Sequence, residues 1–196
     1  MFRNCANSPL CAALLSLMLS ACASSTFGLP LPNARERLTP LAFGLYVTPD
    51  PAQNPINPPE RFTGFHAGLD FEIRPGEADR EVTVYAICDG AVAYSGSAEG
   101  YGGVIVQHCA LQGEPVTVLY GHLSSDSRPE VGQVLTRGET IGTLAPGHSV
   151  ASGFNRKHLH LGIHRGETVE FLGYVQSERE LENFIDPAGV IPLYGQ

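Results

Sequence analysis

Apolar and polar residues alternate with a period of two along most of this chain, the pattern of half-buried strands. Val82 to Ile87 alternates, Asp89 and Gly90 supply a turn, and Ala91 to Tyr94 continues the extended run. Gly96 to Gly103 reads as a Gly-rich hairpin loop, after which Val104 to His108 pairs back. Val116 to Leu123 is a further strand. Val131 to Gly138 and Thr140 to Gly142 read as short strands about tight turns, and His158 to His164 alternates again. Phe43 to Val47 is predicted as the first strand, and Phe71 to Ile73 as a short extended piece. Thr48 to Pro59 (TPDPAQNPINPP) must be irregular, because proline removes ladder donors. A helix is expected only at Glu178 to Phe184. The pattern predicts an all-β, antiparallel fold with one short C-terminal helix.

The N-terminus departs from alternation. Arg3 precedes an apolar stretch, Pro9 to Leu19, which is too short to span a bilayer but has the length of a signal-peptide core. Leu19 to Cys22 (LSAC) follows, and it resembles a bacterial lipobox, whose cysteine is lipidated and becomes the new N-terminus. The alternative is an ordinary secretory peptide cut near Ala21 to Ser25. The division expected is residues 1–21 as lipoprotein signal peptide, 22–41 as flexible tether, and 42–196 as one folded domain. Lipidation at Cys22 implies an exported protein held on a membrane by its acyl chains. Ala23 stands where an aspartate commonly retains such proteins at the inner membrane, so the periplasmic side of the outer membrane is expected.

Cysteine usage agrees with export. Of five cysteines, Cys5 and Cys11 lie in the removed segment and Cys22 is the anchor, which leaves Cys88 and Cys109 as an even pair in an oxidising compartment. They flank the hairpin at Gly96 to Gly103, so their strands lie side by side and a Cys88–Cys109 disulfide is predicted, with a bulge if the register is off by one. The formal net charge of -8 and pI near 5.3 argue against a phosphate-backbone partner, so no nucleic acid is expected. A monomer is expected.

Candidate chemistry sits in three separated segments. His66 and Asp70 are four apart, a spacing that lets both reach one ion on a strand or on a helix. His122 follows Tyr120 in a strand, where the two should share a face; lining a groove and packing are equally open for Tyr120. His158 and His160 are two apart and point to one face, with Leu159 opposite. Imidazole and carboxylate are zinc ligands, but spacing alone leaves open which of His158 and His160 would bind metal.

Taken in order, these segments resemble the lysostaphin/LytM-type peptidoglycan endopeptidases. The resemblance runs through Phe65 to Phe71 (FHAGLDF), Val84 to Gly90 (VYAICDG), Tyr101 to His108 (YGGVIVQH), Leu119 to Ser124 (LYGHLS), Val131 to Gly142, His158 to His160 (HLH) and Ile185 to Pro187 (IDP). It implies an antiparallel β-sheet sandwich of the duplicated hybrid motif with an open groove. It implies one Zn²⁺ per chain held by His66, Asp70 and His160, with His122 and His158 catalytic, and peptidoglycan as substrate. Three protein ligands would leave a fourth position for water, the mark of a catalytic site. The chain departs from the family at Lys157, where proline often precedes HLH, and at Gly162, where an acidic residue is common. Its Pro146 to Lys157 loop (PGHSVASGFNRK) is also longer than usual. None of these is expected to touch a ligand. His108, His148 and His164 are read as exposed or hydrogen-bonded.

Two other classes compete. Some members of this family have lost ligands and act as scaffolds that bind peptidoglycan or activate another wall hydrolase; here all five positions are filled. Val131 to Gly142 also resembles the Gly-turned strands of lipoyl- or biotinyl-carrier sandwiches. A carrier needs a modifiable lysine on a hairpin tip, and Lys157, the single lysine, stands beside HLH.

Overall fold

The computed structural model describes residues 27–37, 39–57, 60–126 and 128–193. The signal peptide, Cys22 and the start of the expected tether lie outside these residues. Eleven strands run in chain order as β1 (Tyr46–Val47), β2 (Gly64–His66), β3 (Gly68–Glu72), β4 (Thr83–Tyr85), β5 (Gly90–Ala98), β6 (Gly102–Leu111), β7 (Glu114–Leu123), β8 (Val134–Leu135), β9 (Thr140–Thr143), β10 (His158–Arg165) and β11 (Tyr174–Val175). One short helix, α1 (Glu178–Leu181), follows. Ser177 Oγ caps it by accepting from Glu180 N at 3.3 Å. The helix stops three residues short of the predicted end, where Phe184 N turns back to Leu181 O.

The main sheet has the order β3-β10-β7-β6-β5-β8 and is antiparallel throughout. A three-stranded sheet, β1-β2-β11, and a pair, β4-β9, complete the architecture. The alternation along the chain decides the layering. Leu69, Phe71, Val118, Tyr120, Leu159, Leu161 and Ile163 fill one core face of the main sheet, where they meet Val84, Leu135 and Ile141. On the opposite face Tyr101, Val104, Val106 and Leu119 form a smaller cluster with Phe171 packed on it. Cys88, just ahead of β5, is joined to Cys109 of β6 by a disulfide with Cα atoms 6.0 Å apart. The β5–β6 register shifts by a residue between Val92 and Tyr94.

The expected tether is corrected from Phe27 onward. Phe27, Leu31 and Leu41 are buried, the first two in the main core. Gly28 N donates to Ile87 O at 2.6 Å and Pro30 O accepts from Tyr85 N at 2.8 Å, so the segment hydrogen-bonds alongside β4. Arg37 is buried and donates in a fork to Glu77, with contacts of 2.7 and 3.2 Å. The sequence looks like a linker because its apolar residues are interleaved with proline and asparagine and carry no regular period. The folded unit therefore starts by Phe27, not at residue 42. The first strand is likewise shorter than expected: Phe43 packs beside Ala67 and Phe184, and only Tyr46–Val47 pairs. Among the described residues, no helix is long and apolar enough to cross a membrane.

Candidate metal centre

Asp70 of β3 and His160 of β10 are direct partners in the strand ladder. Alternation sends Leu69, Phe71, Leu159 and Leu161 into the core and leaves Asp70, His158 and His160 on the other face. His66 arrives differently from expectation. It ends β2, in the three-stranded sheet, and the buried Ala67 separates it from β3, which belongs to the main sheet. His66 and Asp70 thus stand on two strands of two sheets, yet their side chains meet. His66 Nε2 is 3.2 Å from Asp70 Oδ1 and 3.0 Å from His160 Nδ1, and His160 Nδ1 is 3.0 Å from Asp70 Oδ1. Gly68 makes the approach possible, since a Cβ there would lie 2.6 Å from the His160 ring.

These three buried atoms fit a zinc ion. The other nitrogen of His66, Nδ1, faces Ala42 O at 3.2 Å. A carbonyl only accepts, so Nδ1 carries the proton and Nε2 keeps its lone pair for the cluster. Burial pushes His160 down to about 4, which leaves it a neutral donor at neutral pH. Burial opposes the charge on Asp70. The neighbouring His158 and His66, with hydrogen bonds from His158 and His160, outweigh it and hold the carboxyl well below its usual range. Ligand atoms each about 2 Å from one ion would lie roughly 3–3.5 Å apart, as they do here.

His122 reaches this face through a bulge. Gly103 of β6 pairs with Leu123, but the next residue, Val104, pairs with Gly121, so His122 is an extra residue in β7. It has φ = +62°, a left-handed conformation uncommon outside glycine. The result corrects the expectation that Tyr120 shares the face of His122; of the two roles open to it, the packing one holds. Tyr120 is fully buried in the main core, where its hydroxyl accepts from Ile87 N at 2.9 Å and donates to Gln107 Oε1 at 3.1 Å. His122 is turned to the metal face, with its ring centroid 4.3 Å from that of His158. Its Nδ1 is 2.9 Å from both Tyr101 O and Ser152 O. Two acceptors fix the proton on Nδ1 and leave Nε2 with a free lone pair. Burial, reinforced by His158, pushes the His122 pKa well down. His158 Nδ1 donates to Arg156 O at 2.9 Å, and its Nε2 lies 3.1 Å from Asp70 Oδ2. Gly121 lets the Tyr101 ring lie over the site, since a Cβ there would be 2.5 Å from it.

A cavity of about 200 Å³ opens over the cluster, walled by Phe62, Tyr101, Phe171, Leu172 and Tyr174. It continues past Glu60, Asn155 and Arg156 into a wider one of about 630 Å³ beside Phe154. The long loop before HLH does more than was expected of it. Ser152 O anchors His122, Ala151 O accepts from Gly103 N at 2.8 Å, and Arg156 bonds Asp70 Oδ2 at 2.9 Å. The expectation that this segment touches no ligand is therefore corrected. Lys157 turns away and donates to three backbone carbonyls, those of Glu77, Ala78 and Arg80, at 2.6–3.2 Å. Arg156 and Glu60 escaped the sequence reading; the unusual length of the loop was the signal that could have found the first.

The remaining histidines stay apart from the cluster's donor atoms. His108 is half-buried on β6, and His148 lines the wider cavity. His164 is four residues beyond His160, packs edge-on against Phe184 with centroids 5.1 Å apart, and keeps a buried Nδ1 without a partner among the described residues.

The profile of peptidase family M23 matches residues 64–171. No curated protein is significantly similar in sequence. Among solved structures, Helicobacter pylori Csd3 is 20% identical with a TM-score of 0.52, over 85% of this chain and 34% of that one. The chain thus spans about a third of the length of Csd3. The catalytic domain of the antimicrobial peptidase lysostaphin from Staphylococcus simulans is also 20% identical, with a TM-score of 0.52, over 78% of this chain and 90% of that one. A chain of the SpoIIQ–SpoIIIAH pore-forming complex is 16% identical with a TM-score of 0.57, over 86% and 92%. At these identities the likeness is one of fold.

Proposed function

The chain belongs to peptidase family M23, and from that premise we propose that it is a zinc-dependent endopeptidase hydrolysing peptide bonds in peptidoglycan stems or cross-links. The observation that carries the reading is the convergence of His66 Nε2, Asp70 Oδ1 and His160 Nδ1 at the floor of an open groove, beside a histidine that keeps an unprotonated nitrogen. Zinc, held by those three residues, would supply a Lewis acid that polarises a carbonyl and lowers the pKa of water. His122, neutral and fixed with its proton on Nδ1, would take a proton on Nε2 as general base and return it to the leaving amine. His158, which approaches Asp70 from the groove side and already donates from Nδ1 to Arg156 O, would in its doubly protonated form donate from Nε2 to charge developing on the carbonyl oxygen. The aromatic walls would hold the peptide and exclude water around these groups.

Scaffold members of the family have lost metal ligands; here all three ligand positions and both catalytic positions are filled, which favours the enzyme. The same reading makes the protein an exported monomer, lipid-anchored at Cys22 on the periplasmic side of the outer membrane, with peptidoglycan as its partner and no nucleic acid. The deciding experiment incubates the purified protein, zinc-loaded and zinc-free, with isolated peptidoglycan and identifies the fragments by mass spectrometry. New amino termini at defined stem or bridge positions, formed only with zinc, are expected. A zinc-loaded protein that releases no fragment contradicts the reading.

A further inference from the structure

Asp70 has two carboxylate oxygens, and they face different groups. Oδ1 meets His66 and His160, the two other members of the metal-binding set. Oδ2 meets His158 at 3.1 Å and the Arg156 guanidinium at 2.9 Å. Arg156 is itself held on its other edges. Its Nε donates to Glu72 at 2.8 Å, its NH1 to Glu60 at 2.6 Å, and its NH2 also lies 2.7 Å from Glu72. One planar fork therefore spans three carboxylates from two segments: Asp70 and Glu72 on β3, and Glu60 ahead of β2. A lysine has one point charge and cannot span them together. The carboxylates outweigh the burial that opposes its charge and hold Arg156 firmly protonated.

We propose that Arg156 is a positioning residue for the metal centre: it occupies Asp70 Oδ2, leaving Oδ1 as the oxygen offered to the ion, and it keeps Glu60 and Glu72 paired away from the ion. This rests on the zinc reading above. The magnitudes favour a local, geometric role over a long-range one. Glu60 and Glu72 lie within hydrogen-bond distance of the guanidinium, so at the ion their charges offset its own. The charge-assisted contact to Oδ2 acts directly on the ligand's orientation. Partners that orient metal ligands in this way typically change metal affinity by about 10–100-fold when lost. The residue comes from the lengthened loop, the same loop whose Ser152 O fixes the tautomer of His122. One segment would then set both the carboxylate ligand and the proposed base.

The test is a zinc competition titration with Co²⁺ absorption spectra on the intact protein, comparing wild type with Arg156→Lys, which keeps the charge and removes the fork. Zinc binding weaker by about tenfold or more is expected. The cobalt spectrum should also change in position and intensity as Oδ2 becomes free to join the ion, with little change in the melting temperature of the metal-free protein. Should Arg156→Lys not fold, the charge-balanced pair Glu60→Gln/Arg156→Gln carries the same test with the same expectation. A variant that folds and matches the wild type in zinc affinity and cobalt spectrum overturns the proposal. A wild type that binds no zinc overturns instead the reading on which it rests.

Discussion

Tyr120 and His122 stand two residues apart on one strand and project to opposite faces of its sheet. Tyr120 fills the main core, and His122 lies against His158 over the metal cluster. In a regular strand both would point the same way. The extra residue in β7, with its positive φ at His122, reverses the alternation at one position. Strain of this kind costs on the order of 1–3 kcal/mol and persists where surrounding structure over-determines it. Here the two carbonyls on Nδ1 and the Tyr101 ring do so.

Replacing His122 with Ala should therefore leave a folded protein that binds zinc and is slowed on the order of 10²–10⁴-fold, the usual contribution of a general acid or base. Metal analysis and peptidoglycan turnover on the same sample check this. A zinc-bound variant with wild-type turnover removes His122 from the proposed mechanism.

His66→Ala deletes one of three convergent donors and should abolish stoichiometric zinc binding. The measurement is metal content after dialysis against a weak chelator. One zinc per chain in this variant sinks the triad assignment.

The Arg37–Glu77 fork predicts a contribution to acid stability. The hydrogen bond from Arg37, helped by that from Arg74 N, outweighs burial and lowers the Glu77 pKa below its ordinary 4.5. A depressed folded-state pKa means that the unfolded chain binds the proton more readily. This stabilisation is therefore fully present above about pH 4.5 and lost as pH falls through the lower, folded value. Glu77→Gln should be less stable than wild type at neutral pH, with the difference shrinking below pH 4.5. Urea melts at several pH values read this out; a pH-independent difference contradicts it.

Breaking the Cys88–Cys109 link with a double Cys→Ala change should cost roughly 3 kcal/mol in the chain-entropy description of a loop this long. The prediction is a lower urea midpoint, which reductant then no longer shifts. An unchanged midpoint would argue that the bond adds nothing to stability.

Cys22→Ser should yield an uncleaved precursor or a soluble form. Fractionation with acyl labelling decides the matter: a wild type that is soluble and unlabelled leaves Leu19 to Cys22 as the tail of an ordinary signal peptide.

The sequence disclosed those parts of the site that follow from regular strands. His158 and His160 fall on one face because β10 is regular, and the core residues between them follow by alternation. His66 and Asp70 were legible as a pair for a partly wrong reason, since two strands of two sheets, not one strand face, bring them together. The orientation of His122 depends on a two-against-one pairing with β6, a non-local event that no local pattern encodes. Arg156 was hidden for a similar reason: its partners Glu60 and Glu72 are 96 and 84 residues away in the chain. The packing of Phe27 to Leu41 was missed because scattered apolar residues among prolines have no period to read.

That packed N-terminal segment also fixes a working distance. Leu41 O accepts from Asp70 N and Ala42 O faces His66 Nδ1, so the segment ends directly behind two of the metal ligands. With the fold already begun at Phe27, a lipid on Cys22 would leave five residue steps of leash, about 17 Å at full extension. The start of the folded unit would then lie within that distance of the lipid surface, and the wall within its reach would be chosen by depth as much as by chemistry.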